Sequence, residues 1–459
     1  MSRDCSFLRD LPLSAEQVSF ATEDRAEFGT DYGVVEADAS PPDAVVYPES
    51  TEDVSVTLAA ANERDVPVTP YAAGSSTEGN AVPVAGGITL SMERLDSILG
   101  FRPDDMQVDV QPGVVGEEMD AHVADEGLFF PAFPQSAAFS TVGGMIANDA
   151  SGIRAVKYGE VREWVLELEV VKADGTVIEV GTKARKTSAG YNLLDLIVGS
   201  EGTLGVVTRA TMDLAVAPAR TLGGRATFDD LDDAAAAITE AVRAGVDVAT
   251  IELIDPLTAE IANSYTDAGL PPVPMVFFEL HGRGVDREAE VLSGIFERHG
   301  ARRIETSEDD EEMTDLWRAR REIGRALPEY DPDRVLDVVG DVTVPIGSYP
   351  EMIRFIGEVG DEYGIPIPAF GHAGDGNAHY AILVNRDDPE EVDRAHEAAE
   401  TIVRGAIDRG GTCTGEHGVG VGKRGYLTRE YDPAVLSTMR DVKEALDPNG
   451  ILNPGKIFE

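Results

Sequence analysis

Apolar residues recur in short runs whose spacing changes along the chain. Ala44 to Tyr47 is an apolar run closed by Pro48 and predicts a strand. From about Thr51 to Arg64 the apolar positions Val54, Leu58 and Ala61 share one helical face. Val66 to Pro70 returns to a strand, so this stretch is a βαβ unit. Ahead of it, residues 1–40 read as a helical lead-in, with Ser14 and Gln17 at capping-box spacing. In the middle, strands are expected at Gly223–Phe228, Thr250–Ile254, Met275–Leu280 and Arg302–Thr306. Helices are expected at Asp232–Ala244, Asp286–His299 and, arginine-rich, Trp317–Arg325. The order βαββαβ suits an antiparallel sheet with helices on one face. Two further strands, Ile365–Phe370 and His379–Val384, flank a glycine-rich turn.

That turn, Gly371 to His379, reads GHAGDGNAH. Gly374 and Gly376 would each cost roughly 1 kcal/mol in a helix relative to Ala, so the segment is a loop. His372 and His379 could bind one cation or act as bases, although two histidines in such a turn are also what a solvated loop carries. A second glycine-bounded turn, Thr414 to Gly420, reads TGEHGVG and carries Glu416 beside His417. Three of the seven histidines lie in these two turns. Two imidazoles and one carboxylate make a three-ligand divalent site with an open position, leaving His417 as a candidate base.

Three small-residue stretches add a different chemistry: Tyr71 to Pro83, Ser140 to Gly152, and Gly199 to Gly205. Each lies beside an apolar run read as a strand, the third after Leu193–Val198. Backbone N–H groups in such loops form anion sites, and three together suit an extended dinucleotide. Neither the GxGxxG spacing of a Rossmann turn nor a P-loop lysine is present in the first.

Composition narrows the class. The chain has 459 residues, enough for two or three domains, and 84 acidic against 38 basic residues give a net charge of −46. Such a surface argues against nucleic acid or anionic membrane as partner and resembles that of proteins working in high salt. Cys5 and Cys413 form no disulfide framework, which implies a reducing cytoplasm. No secretory h-region and no run of eighteen apolar residues is found, leaving only peripheral attachment at the membrane's inner face open.

These motifs carry a resemblance. AAGSST (Ala72–Thr77), STVGGMIANDASG (Ser140–Gly152), VGSEGTLGVVT (Val198–Thr208), LWRAR (Leu316–Arg320), GHAGDGNAH, TGEHGVG and DPNGILNPGK (Asp447–Lys456) run in order from about residue 42 to the C-terminus. Together they resemble the FAD-linked oxidases of the vanillyl-alcohol oxidase and p-cresol methylhydroxylase superfamily, in the branch of D-lactate dehydrogenase, the glycolate oxidase FAD subunit and D-2-hydroxyglutarate dehydrogenase. The resemblance implies an α+β protein. Residues 1–41 would be a lead-in, 42–217 a PCMH-type FAD-binding domain, 218–405 a ferredoxin-like antiparallel cap, and 406–459 a C-terminal segment completing the site.

It further implies that the FAD pyrophosphate lies on Ala73, Gly74, Ser75 and Ser76. Other parts of the cofactor would lie on Ser140, Thr141, Gly144, Ala150, Gly152, Glu201, Gly202, Val206 and Asn453. The metal ligands would be His372, His379 and Glu416, the base His417, and the grip on the substrate carboxylate Arg320. Zinc is the expected cation, with manganese and iron also suited to that donor set. Nothing at His122 or elsewhere in the first domain compels a covalent flavin link, so FAD is expected to be non-covalent. Tyr71 replaces an arginine common in the family, and Asp149 should point away from the cofactor phosphates. Val339 replaces a lysine of the 2-hydroxyglutarate branch, which favours acids the size of lactate or glycolate.

The implied reaction is oxidation of a small D-2-hydroxy acid to the 2-oxo acid, with hydride to flavin N5. The electron acceptor (quinone, electron-transfer flavoprotein, cytochrome or oxygen) is left open, as is a homodimer. Other readings are a subunit of a multi-subunit glycolate oxidase, catalytic or silent, a dehydrogenase of larger acids such as 2-hydroxyglutarate, a flavin enzyme of another alcohol, and a metal hydrolase without flavin.

Overall fold

A computed structural model describes residues 3–33 and 39–458. It divides into two compact units. The first comprises Met1–Ser151, Glu160–Ala217 and Glu416–Glu459, and the second Gly152–Gly159 and Pro218–Gly415. The chain returns to the first unit at Glu416, and the first 41 residues belong to that unit too.

The first unit is built on two sheets. β1 (Val18–Ser19), β2 (Ala44–Val46), β3 (Val68–Tyr71) and β4 (Ile88–Ser91) lie in the order β1-β2-β4-β3, with β2 and β3 both parallel to β4. β2 is fully buried, as a continuous apolar run in a parallel sheet should be. The helix Thr51–Asn62 starts at Ser50, whose side chain accepts from Asp53 N, and buries Val54, Leu58 and Ala61. The C-terminal segment joins this sheet: Val68 N donates to Ile451 O and Asn453 N to Val68 O, each at 2.8 Å.

β5 (Ile98–Arg102), β6 (Gln107–Val110), β8 (Val165–Val171), β9 (Val177–Gly181) and β10 (Val206–Asp213) form an antiparallel sheet in the order β5-β6-β10-β8-β9. β7 (Leu128–Phe129) pairs with β11 (Ala215–Val216).

The second unit carries seven strands, antiparallel throughout. They are β12 (Thr221–Thr227), β13 (Val248–Ile254), β14 (Met275–His281), β15 (Arg303–Ser307), β16 (Val335–Thr343), β17 (Ala369–Gly371) and β18 (Asn377–Val384), in the order β15-β12-β14-β13-β17-β18-β16. The first four have the ferredoxin-like arrangement, and the last three extend it. Helices cover both faces around β13 and β14, rather than one. Phe278 packs on Phe296 of the helix Val285–Arg298, and Phe277 on Trp317 of the helix Asp310–Arg321. The reason is in the sequence: Met275 to Phe278 is continuously apolar, and a strand buried on both faces does not alternate.

Local expectations differ elsewhere. Ser14 N does donate to Gln17 Oε1 at 2.8 Å, but the bond closes a turn that leads into β1, not a helix. Among its described residues the helical part of the lead-in is the 3₁₀ turn Ser6–Asp10 and the short helix Thr22–Glu27, and residues 1–2 and 34–38 lie outside the described residues. Val142–Asn148, read as loop, is a helix capped by the Thr141 side chain, and Leu193–Ile197, read as strand, is one turn of helix capped by Asn192. The strand expected at Ile365–Phe370 shortens to Ala369–Gly371, because Pro366 and Pro368 cannot donate to a ladder.

One cap gives a pH test. Asp255 accepts from Thr258 N at 2.7 Å at the start of the helix Pro256–Thr266, and burial pushes its carboxyl up to about 6. A folded pKa above the unfolded one means full stability below about pH 4, lost progressively as pH rises through about 6. Asp255→Asn keeps the cap oxygen and removes the titration. Its stability relative to the parent should therefore increase from about pH 4 to about pH 7 in denaturant unfolding at fixed salt; a difference independent of pH would refute the assignment.

Candidate active site

In the first unit the three small-residue stretches converge at the end of β3. Ser75 and Ser140 share a hydroxyl–hydroxyl hydrogen bond of 2.9 Å, and Ser140 a second with Ser136. Gly202 lies so close to Pro70 that an added Cβ would come within 3.0 Å of its ring. Among the described residues, no backbone N–H from Ala73 to Thr77 donates a hydrogen bond within the chain, while the carbonyls of Gly74 and Ser76 accept from Tyr32 and Gly33. A run of amides with no protein acceptor is what an extended anion requires, so this loop fits a pyrophosphate. Tyr71 does not supply the missing arginine's charge; it packs on Phe28 and donates to Thr30 O. Asp149 is turned onto Arg162, whose backbone N donates to it at 2.9 Å.

Glu201 takes a place the sequence did not indicate. Only 5% exposed, its carboxylate accepts from Val419 N at 2.7 Å, Gly420 N at 2.9 Å and Asn80 Nδ2 at 2.8 Å. Burial pushes its pKa up, and these three donors pull against that. Asn453 donates to the carbonyls of Glu201 and Asn80. Lys456, whose pKa burial lowers to about 8, donates to Val82 O. The TGEHGVG turn is thus held from beneath. His417 itself is held by its carbonyl, which accepts from Asn148 and Asn80, and its Nδ1 lies 3.6 Å from Glu78 Oε1. Glu78 pairs with Lys423 at 3.1 Å. Ser151 Oγ donates to Glu416 Oε2 at 3.1 Å. Thr141, Gly144, Ala150 and Val206 stand in and around the Val142–Asn148 helix and β10, whereas Gly152 is counted with the second unit.

In the second unit, His372 and His379 are each 5% exposed, with ring centroids 5.0 Å apart. His372 Nδ1 lies 2.8 Å from Glu252 Oε1, and Arg320 Nε donates to Glu252 Oε2 at 2.9 Å. Asp341, opposite His379 in the β16–β18 ladder, accepts from Asn377 Nδ2 at 2.7 Å, Thr414 Oγ1 at 3.0 Å and Gly415 N at 2.8 Å. Position 415 must be glycine here, since a Cβ would stand 2.2 Å from Asn377 Nδ2 and 2.3 Å from Thr343 Oγ1. So this unit brings together Arg320, His372 and His379, while Glu416 and His417 belong to the other. Glu252 and Asp341 were missed from sequence. The available signal for Glu252 was a lone carboxylate inside an apolar strand run, which burial would have to pair; Asp341 shares its run with Asp337 and stood out less.

A family model described as FAD linked oxidases, C-terminal domain, matches residues 218–457. The chain belongs to the FAD-linked oxidases. A second model, FAD binding domain, matches residues 42–181 of this FAD-linked oxidase. A protein named probable D-lactate dehydrogenase, mitochondrial, of Danio rerio is 36% identical over 97% of this chain and 89% of its own. The glycolate oxidase subunit GlcD of Bacillus subtilis is 36% identical over 91% and 89%. The solved structure of p-cresol methylhydroxylase with substrate bound superposes with a TM-score of 0.80 at 20% identity, covering 99% of this chain and 96% of the other, a likeness of fold alone. The protein is an FAD-dependent oxidoreductase of the branch holding the named D-lactate dehydrogenases and glycolate oxidase subunits.

Glu201→Gln replaces one of the two acceptor oxygens by a donor facing a backbone N–H. Unfolding in denaturant should show a loss of about 1–3 kcal/mol, with weaker FAD retention on dialysis. Parent-like stability and flavin retention would show that the clamp is dispensable.

Proposed function

We propose that this FAD-linked oxidase converts a small D-2-hydroxy acid, D-lactate or glycolate, to the corresponding 2-oxo acid. The names of the relatives point to this substrate class. The observation that carries the reading is the buried set of the second unit: Arg320 and His372 joined by the Glu252 carboxylate, with His379 packed against His372. Arg320 binds the substrate carboxylate. Its Nε edge is taken by Glu252, and its other edge suits a bidentate oxyanion. His372, His379 and Glu416 hold a divalent cation, zinc in the first instance, with manganese or iron as alternatives. His372 fits that role because its Nδ1 faces Glu252, which leaves Nε2 as the lone-pair nitrogen.

His417 takes the hydroxyl proton as general base, steadied by Asn80, Asn148 and Glu78. A flavin bound on the first unit's loops would supply the hydride acceptor, and a cation held by His372, His379 and Glu416 would supply Lewis-acid polarisation of the hydroxyl. Val339 stands two residues from Asp341 on the same face of β16, and an apolar side chain there supports a substrate without a second carboxylate. The relative named as a subunit keeps the multi-subunit reading as the second one. No helix among the described residues is long and apolar enough to cross a membrane.

Anaerobic addition of D-lactate or glycolate to the purified protein in high salt should bleach the flavin bands, with D-2-hydroxyglutarate slower. Bands that persist with all three would sink the substrate assignment. His417→Asn should lower the rate of flavin reduction about 10²- to 10⁴-fold with flavin content unchanged, read by anaerobic stopped flow. Unchanged reduction would remove His417 as the base.

A further inference from the structure

Glu252 lies in the middle of β13, a strand buried along its whole length, and is itself wholly inaccessible. A carboxylate taken this far from water is costly unless both oxygens are paired. Both are. Oε2 accepts from Nε of Arg320 at 2.9 Å and from Nη2 of the same guanidinium, and Oε1 faces Nδ1 of His372 at 2.8 Å. A carboxylate can only accept, so His372 donates from Nδ1 and its Nε2 keeps the lone pair. On the other arm, Glu252 occupies the Nε/Nη2 edge of Arg320 and leaves Nη1 outside that pair. Phe370 packs against that guanidinium, 5.5 Å from ring centroid to Cζ.

We propose that Glu252 is a positioning residue that couples substrate grip to metal binding: one buried carboxylate sets the tautomer of His372 and the orientation of Arg320 together. The inference rests on the roles given to Arg320 and His372 above. It assigns to Glu252 contact with neither substrate nor cation. Its side chain does for two functional groups what a separate partner would otherwise do for each. Because both partners donate, no neutral residue of similar shape can serve both: glutamine offers one acceptor and one donor.

The test uses the purified, flavin-loaded protein, stripped of metal. Zinc affinity is measured by competition with a chelating dye, and oxalate, an unreactive dicarboxylate, by perturbation of the flavin spectrum. Glu252→Gln should weaken zinc about 10- to 100-fold and oxalate about tenfold or more, with FAD stoichiometry retained. Parent-like affinity for either ligand overturns the coupling. Should Glu252→Gln not accumulate with flavin, Arg320→Met reads the same linkage from its far end. Zinc affinity should then change about threefold or more, although Arg320 is no ligand of the cation, and unaltered zinc binding overturns the proposal. Parent protein that binds neither zinc nor oxalate would instead fail the functional reading, and the coupling with it. Binding by the parent with an unaffected variant refutes the coupling alone.

Discussion

Buried carboxylates must be paired, and most of the local order in this protein follows from how that requirement is met. Glu201 is the clearest case. Its backbone adopts a left-handed conformation, φ +52°, within the Gly199–Gly205 loop, and its side chain is closed off from water. Two amides of the turn after His417 and the amide group of Asn80 fill its oxygens, while Asn453 fastens its carbonyl. Three segments far apart in sequence meet at its carboxylate, and a fourth at its carbonyl. The turn that presents Glu416 and His417 is therefore fixed from behind rather than left as a surface loop.

The second unit meets the same requirement with Glu252 and Asp341, both almost wholly buried. Each is a strand residue in a sheet whose other buried positions are largely apolar, and each gathers several donors. Glu252 takes Arg320 and His372; Asp341 takes Asn377, Thr414 and Gly415. A polar group paired in a low-dielectric interior orients its partners more strictly than a solvated one would. That suits a site whose donors must be in place before substrate arrives.

The exposed surface obeys a different rule. Acidic residues outnumber basic ones by more than two to one, and pairs such as Arg220 with Asp286 and Glu308 lie in solvent. Exposed pairs of this kind contribute little and are screened by salt. The same screening relieves the repulsion of a net charge of −46, so the acidic surface and the paired interior answer to separate constraints.

What the sequence by itself determined is local and chemical. The period of apolar residues located the βαβ unit and the strands of the cap, because side-chain alternation and helical spacing are written along the chain. Glycine-rich turns singled out the histidines, Glu416 and the loop after β3, and the order of the motifs named the family. Tertiary structure decided what spacing cannot encode. Glu252 lies 68 residues from Arg320 and 120 from His372, and Glu201 lies 218 from Val419. Nothing in those separations predicts contact. Covered helices on both faces of the β13–β14 pair, the short helices at Val142 and Leu193, and the turn at Ser14 were likewise settled by packing, which overrides local propensity where burial is large.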